Sequence, residues 1–299
     1  MKRVLFIYNR RAGKRRTWAG LSSIINAMTE HDCLVSAYPT QYPGDAGDAI
    51  LRWSEDFDQV VVAGGDGTLS EAIAGAMKLP EHPIIGYIPL GTTNDFSKNL
   101  DLPATKSLAD LAVTAVEGVP HTHDLGRFNG KSFLYVAAFG AFTEVAYSTP
   151  QHLKNLFGYN AYMLESVKAL PSLKPHHVKV EYDGQVVEGD YIYGMVSNTT
   201  SVGRFKNFPP GHPDLSDGLL EVTLISAFRD PIDLEIFSRA VLLNDSNVLR
   251  PLLTTFSTSH LTVSCGEDLT WTLDGEAGGT HAKSEIMAIH NAYTIVHGK

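Results

Sequence analysis

The sequence predicts an α/β domain built on a parallel sheet, followed by a mainly antiparallel β domain. Three observations lead there. Short, near-continuous apolar runs (Val4–Tyr8, Val60–Ala63 and Ile84–Ile88) alternate with helix-like segments as far as Val116. Polar, glycine-containing turns follow those runs at Asn9, Gly64 and Gly91. Beyond Asp124 the rhythm changes to strands joined by tight turns such as Asp183-Gly184. Strands apolar on both sides are buried on both faces, as in a parallel sheet between helices, while two-residue turns of this type join antiparallel strands.

In order, the first half reads as strand Val4–Tyr8, helix Trp18–Met28, strand Leu34–Tyr38 and helix Asp45–Trp53. Strand Val60–Ala63, helix Leu69–Met77, strand Ile84–Ile88 and helix Ser107–Val116 follow. The second half offers strands at Phe133–Ala138, Val178–Tyr182, Val186–Tyr191, Gly194–Ser197 and Leu219–Ile225. His260–Cys265 and Leu269–Leu273 flank a Gly266-Glu267-Asp268 turn, and helices are expected at Leu153–Leu170 and Ile232–Leu243. The last apolar run, Glu285–His290 with Thr294–His297, either closes the β domain or returns to pack on the first domain, and the return is the expectation. The expected division is therefore 1–124 with 284–299, and 125–283.

A length of 299 residues suits two domains and is ample for a core. A net charge of -9 argues against nucleic acid as a partner and against binding an anionic membrane by charge alone. Cys33 and Cys265, the only cysteines, stand in no paired motif and fit reduced thiols in a cytoplasmic protein. The N-terminal apolar run is strand-length and lacks a small-residue cleavage site, and no run approaches the ~20 apolar residues of a membrane span.

The chemistry is concentrated in the turns. Gly64-Gly65-Asp66-Gly67-Thr68 follows a buried strand and precedes a helix, which gives close backbone approach, N–H donors and the positive end of a dipole for a phosphate. Asp66 adds a hard oxygen suited to Mg²⁺. The loop is neither a Walker A motif nor a dinucleotide fingerprint, since position 70 is Ser. Pro89-Leu90-Gly91-Thr92-Thr93-Asn94-Asp95-Phe96 follows the next strand and would meet the first turn where open α/β sheets bind ligands. Capping by Asn94 and Asp95 is a compatible structural use. After the first strand, Asn9-Arg10-Arg11-Ala12-Gly13 opens a basic loop that can hold phosphates or meet anionic head groups. His121, His123 and Asp124 are close in sequence, but alternation along a strand accounts for them, and His176-His177 reads as an exposed loop. Leu153–Leu173 reads as a helix packed on the β domain, with an edge near Lys154 and Lys168 that could reach lipid.

Together these motifs resemble the diacylglycerol kinase catalytic domain, and particularly the soluble bacterial lipid kinases of that family. Gly-Gly-Asp-Gly-Thr and Pro-x-Gly-Thr-x-Asn-Asp-Phe stand intact at 64–68 and 89–96. Further matches are Asp124-Leu125-Gly126, Leu215–Val222 with Asp217-Gly218, and Leu273-Asp274-Gly275-Glu276. The resemblance implies a Rossmann-like N-terminal domain of the NAD kinase and diacylglycerol kinase type, with a β-sandwich completing the cleft. It implies ATP as phosphate donor, bound by Asn9, Arg10, Arg11, Ala12, Gly13, Thr40, Gly64, Gly65, Asp66, Gly67, Thr68, Gly91, Thr92, Asn94 and Asp95. Glu276 would be the general base and Asp66 a second catalytic group. Asp214, Asp217 and the carbonyl of Leu219 would hold a structural Mg²⁺, linked through water to Asp66 and Asp95. The partner would be a lipid at the inner face of the membrane, met transiently by a cytoplasmic enzyme, and a homodimer is allowed.

Two departures stand out. Arg10 replaces the family's proline in the first loop, and Val202–Pro210 lacks the family's glycine-rich stretch before the magnesium motif, which leaves the acceptor lipid open. An NAD kinase-like enzyme and a catalytically silent nucleotide- or lipid-sensing protein are the alternative readings.

Overall fold

A computed structural model describes residues 1–12, 16–92, 94–102, 107–140, 174–202, 208, 213–243 and 245–298. They form two compact units, Met1–Leu125 with His290–Lys299, and Gly126–Ile289. The expected helix at Leu153–Leu170 and most of Val202–Pro210 lie outside the described residues.

In the first unit, strands β1 (Lys2–Tyr8), β2 (Cys33–Pro39), β3 (Gln59–Gly64) and β4 (Ile85–Pro89) alternate with helices α1 (Arg16–Glu30), α2 (Asp45–Trp53), α3 (Asp66–Ala76) and α4 (Leu108–Glu117). The strands lie in the order β2-β1-β3-β4 and all pair parallel, with Leu5 opposite Val60 and Val61 opposite Gly86. Every residue of β3 is buried, as a central strand covered on both faces requires. One helix layer meets the sheet through Ile24, Met28, Leu111 and Ala115, packed on Val4, Phe6, Val61 and Ile88. Ser107 caps α4 by accepting the Asp110 N–H at 3.0 Å. The end of β13 (Glu276–His297) adds a fifth parallel strand, with Ile295 opposite Ile85.

Helix α3 starts at Asp66, three residues before the expected Leu69. The Gly65 carbonyl already accepts the Leu69 N–H, so Asp66-Gly67-Thr68 is the first turn, where an acidic side chain suits the helix dipole. Strand β5 (Val119–Phe128) carries all three of His121, His123 and Asp124, but not in simple alternation: His121 is exposed, whereas the neighbouring His123 and Asp124 are both buried. His123 Nε2 lies 2.7 Å from His297 Nε2 in a buried pair, and the His121 ring centroid is 4.4 Å from that of His297.

The second unit is antiparallel. Strands β6 (Lys131–Phe133), β7 (Val136–Gly140), β8 (His176–Tyr182), β9 (Gln185–Ser197), β10 (Leu220–Ser226), β11 (Leu253–Thr258) and β12 (His260–Leu273) join the first part of β13. The segment Phe133–Ala138, expected as one strand, is broken at Leu134-Tyr135, whose N–H groups turn to the Asp274 carboxylate. Val186–Tyr191 and Gly194–Ser197 form one strand rather than two, because β9 pairs with β8 along one stretch and β7 along the other. Likewise Gly266-Glu267-Asp268 is an irregularity within β12, held straight through by pairing with β13 on both sides. His176 and His177 open strand β8 instead of an exposed loop, and their rings meet Glu267 and Asp190. Trp271, Phe128, Phe133, Phe139, Val180 and Leu224 fill the core. Helix α5 (Pro231–Leu243) places proline at its first turn behind Asp230, which accepts the Ile232 and Asp233 N–H groups.

Candidate active site

Three turns at the C-terminal ends of β1, β3 and β4 are tied to one another. The Asn9 N–H donates to the Ala63 carbonyl at 2.9 Å, and its side-chain amide donates to Thr68 Oγ1 at 3.0 Å. Asn9 Oδ1 accepts the Arg11 N–H at 2.8 Å, so one side chain links the basic loop to the first turn of α3. Arg10 and Arg11 are exposed and Ala12 half-buried; Gly13 lies outside the described residues. Thr40 is held beside β1 by its N–H to the Tyr8 carbonyl at 3.0 Å. The buried Asp45 supports that corner by accepting the Gln41 N–H at 2.7 Å and the Tyr38 hydroxyl.

The Gly64–Thr68 and Gly91–Asp95 turns form a single platform. The Leu90 N–H donates to the Gly64 carbonyl at 2.7 Å. Asp66 accepts the Asp95 N–H at 2.9 Å and the Phe96 N–H at 3.3 Å, so a carboxylate of the first turn caps the second. Asn94 has φ 50°, and its side chain accepts the Gly91 N–H while donating to the Gly91 carbonyl, both at 2.8 Å. The two backbones touch: a Cβ on Gly91 would stand 2.6 Å from Gly65 Cα. Gly67 and Thr92 are exposed. Tyr87, whose hydroxyl donates to the Gly64 carbonyl at 3.2 Å, supports the platform from below.

The charges are opposed and local. Burial pushes the Asp66 carboxyl above the usual range, while the N–H groups of Asp95 and Phe96 pull it back. Lys98 Nζ lies 2.7 Å from Asp95 Oδ1. The platform thus combines backbone donors, the start of α3 and two carboxylates, a set that can bind a polyphosphate with an accompanying cation.

In the second unit, Glu276 is exposed at the start of β13, directly after the two-residue turn Asp274-Gly275, with φ 51° and 82°. Leu273 pairs with Glu276 across that turn. The Asp274 carboxylate accepts the N–H groups of Leu134 at 2.6 Å, and of Tyr135 and Val136 at 3.0 Å each. The Asp274 N–H in turn donates to the Val136 carbonyl at 2.8 Å. Asp214 and Asp217 are exposed on the turn before β10; Asp214 accepts the Ser216 N–H at 3.0 Å and Asp217 the Leu219 N–H at 2.9 Å. Two exposed carboxylates on one tight turn are hard oxygen donors and fit Mg²⁺. Among the described residues no group of three or more His, Cys, Asp and Glu gathers around a cation position, so carbonyls and water would complete such a shell.

The anchoring use of Asp274 and the supports Asp45 and Tyr87 are not singled out by the sequence. Asp-Gly before an acidic residue signals only a turn, and the N–H groups that donate to Asp274 lie well over a hundred residues away.

The diacylglycerol kinase catalytic domain model matches residues 3–128, and the YegS C-terminal NAD kinase beta sandwich-like domain model matches residues 138–290. The diacylglycerol kinase of Bacillus subtilis (strain 168) is 32% identical over 283 residues, covering 93% of this chain and 91% of that protein. The diacylglycerol kinase of Staphylococcus carnosus (strain TM300) is 32% identical over 279 residues, covering 93% and 90%. A crystal structure of a putative diacylglycerol kinase from Bacillus anthracis str. Sterne shares the fold, with a TM-score of 0.83 at 23% identity over 99% of this chain and 95% of that one.

Proposed function

From the premise that the chain belongs to the diacylglycerol kinase family and is a lipid kinase, we propose that it transfers the γ-phosphoryl group of ATP to the hydroxyl of diacylglycerol or a similar lipid. The observation that carries the nucleotide side is the Asp66 carboxylate holding the N–H groups of Asp95 and Phe96, which fixes two donor-rich turns as one surface. The turns bind and orient phosphates, and the start of α3 favours their negative charge. Asn9 keeps the Arg10-Arg11 loop against that surface.

Phosphoryl transfer asks little covalent chemistry of the protein; it asks for positioning, charge and a base at the acceptor hydroxyl. Glu276, exposed on a tight hairpin, takes the hydroxyl proton as the phosphoryl group arrives. Asp214, Asp217 and the Leu219 carbonyl would hold Mg²⁺, which supplies positive charge and order to that turn when bound. The lipid acceptor sets the reaction at a membrane surface, and a cytoplasmic enzyme docking on the inner face fits it. Among the described residues no helix is long and apolar enough to cross a membrane.

The test is radiolabelled phosphate transfer from ATP with Mg²⁺ to diacylglycerol in mixed micelles, to a total lipid extract and to NAD, with Glu276→Gln in parallel. The parent should label a lipid, and the variant should lose about 10²–10⁴ in kcat while binding ATP as the parent does. Turnover at the parent rate in Glu276→Gln removes Glu276 as the base. Label confined to NAD removes the lipid acceptor.

A further inference from the structure

We infer that Asp274 is the positioning residue for Glu276: its carboxylate pins the tip of the β12–β13 hairpin, and so the glutamate beside it, to the backbone at 134–136. The inference rests on the reading of Glu276 as the base. A hairpin tip has few ladder bonds of its own, and Glu276 is the first residue past the turn. A base left on such a tip would sample many positions relative to a hydroxyl, and a displacement of about 1 Å can cost 10²-fold in rate.

Several bonds tie this tip down. Three consecutive N–H groups, those of Leu134, Tyr135 and Val136, converge on the one carboxylate at 2.6, 3.0 and 3.0 Å. The Asp274 N–H returns a bond to the Val136 carbonyl at 2.8 Å. Three successive N–H groups aimed at one anion form a nest, and bonds to an ionised acceptor are roughly twice as strong as neutral ones. The segment gives up regular pairing to make it, since Leu134 and Tyr135 interrupt β6 and β7. The turn itself does not need a carboxylate. Its left-handed backbone at 274, φ 51°, suits asparagine as well as aspartate, and Gly275 supplies the second left-handed position at φ 82°.

That distinction makes Asp274→Asn the informative variant. It keeps the turn preference but exchanges an anion for a neutral amide with a single acceptor oxygen. With a lipid acceptor in mixed micelles, kcat is expected to fall at least 10-fold while the KM for ATP stays within about twofold. The double variant Asp274→Asn with Glu276→Gln should be no slower than Glu276→Gln alone, because a residue that acts through Glu276 has nothing left to position. Parent-level kcat in Asp274→Asn overturns the inference and leaves the base reading intact, provided Glu276→Gln is slow. A double variant slower than Glu276→Gln by the full single-variant factor also overturns it, since the effect is then independent of the glutamate. Parent-level turnover in Glu276→Gln removes the base reading and the positioning role together. Should Asp274→Asn not fold, hydrogen exchange on the parent decides: joint protection of the 134–136 and 274 amides supports the anchor, and free exchange at 134–136 overturns it.

Discussion

Replacing Gly91 by alanine tests whether the two phosphate-side turns must touch. The added Cβ would lie 2.6 Å from Gly65 Cα and 2.6 Å from Asn94 Oδ1. The first of these neighbours is backbone and cannot rotate away; the second is the acceptor of the Gly91 N–H itself. Relief requires the turns to part by several tenths of an ångström or more, which strains the Leu90 N–H to Gly64 carbonyl bond and the Asp66 cap. Overpacking of this kind costs about 1–3 kcal/mol, and each kcal/mol lowers Tm by roughly 2–4 °C in a chain of this size. If the nucleotide selects the touching arrangement, the same energy weakens ATP binding about 5- to 150-fold. The reciprocal change provides the control. A Cβ on Gly65 would meet Gly91 Cα at 3.4 Å, and the Gly65 backbone, at φ -90° and ψ -179°, is one that alanine adopts freely. Differential scanning calorimetry without nucleotide should therefore show Gly91→Ala several degrees below the parent and Gly65→Ala close to it. Isothermal titration with ATP should then show the loss of affinity in Gly91→Ala. Equal Tm values for Gly91→Ala and the parent would refute the claim that the contact is enforced by backbone.

Two further predictions concern the buried histidines and the Asp217 turn. Burial, then the neighbouring His121, hold His297 below the ordinary histidine value of 6.5, with Asp101 opposing them. The unfolded chain then binds that proton more readily, so the contribution of His297 to stability is present above about pH 6.5 and is lost as the pH falls through and below that value. Tm measured from about pH 8 to pH 5 should fall less steeply in His297→Asn than in the parent, and identical slopes would refute the assignment. Asp217→Asn retains an oxygen for the Leu219 N–H but removes a charged oxygen from the proposed Mg²⁺ set. The Mg²⁺ concentration for half-maximal activity should rise about tenfold or more, and an unchanged Mg²⁺ titration would remove Asp217 from the set.

The phosphate-side turns are legible in the sequence because their chemistry is local: Gly91 is needed where its backbone meets that of Gly65, Gly64 leaves room for the Thr68 side chain, and Asn94 is one of the few residues that accepts a left-handed backbone. Parallel strands are legible for a similar reason, since β1, β3 and β4 each carry a short, near-continuous run of buried apolar residues. What escapes is set by distant partners. The break at Leu134-Tyr135 has its cause at Asp274, and β9 and β12 run on past their apparent turns because neighbours pair with both ends. Strand β11, Leu-Thr-Thr-Phe-Ser-Thr, is too polar to announce itself and is recruited by pairing with β10. Helix α3 begins early because the Gly65 carbonyl is drawn into its first turn.

The fifth strand of the first unit has a consequence for how this protein is made. Residues His290–His297 come off the ribosome only after the whole of Gly126–Ile289. At about 5–20 residues per second that segment takes roughly 8–33 s to synthesise. Throughout that interval β4, with Ile85, Tyr87 and Ile88, is an open apolar edge on an otherwise finished parallel sheet. An uncovered edge of this kind is a template for stray pairing with another nascent chain. The first unit is encoded early and closed late, and its yield in a cell depends on what shields β4 while the second unit is translated.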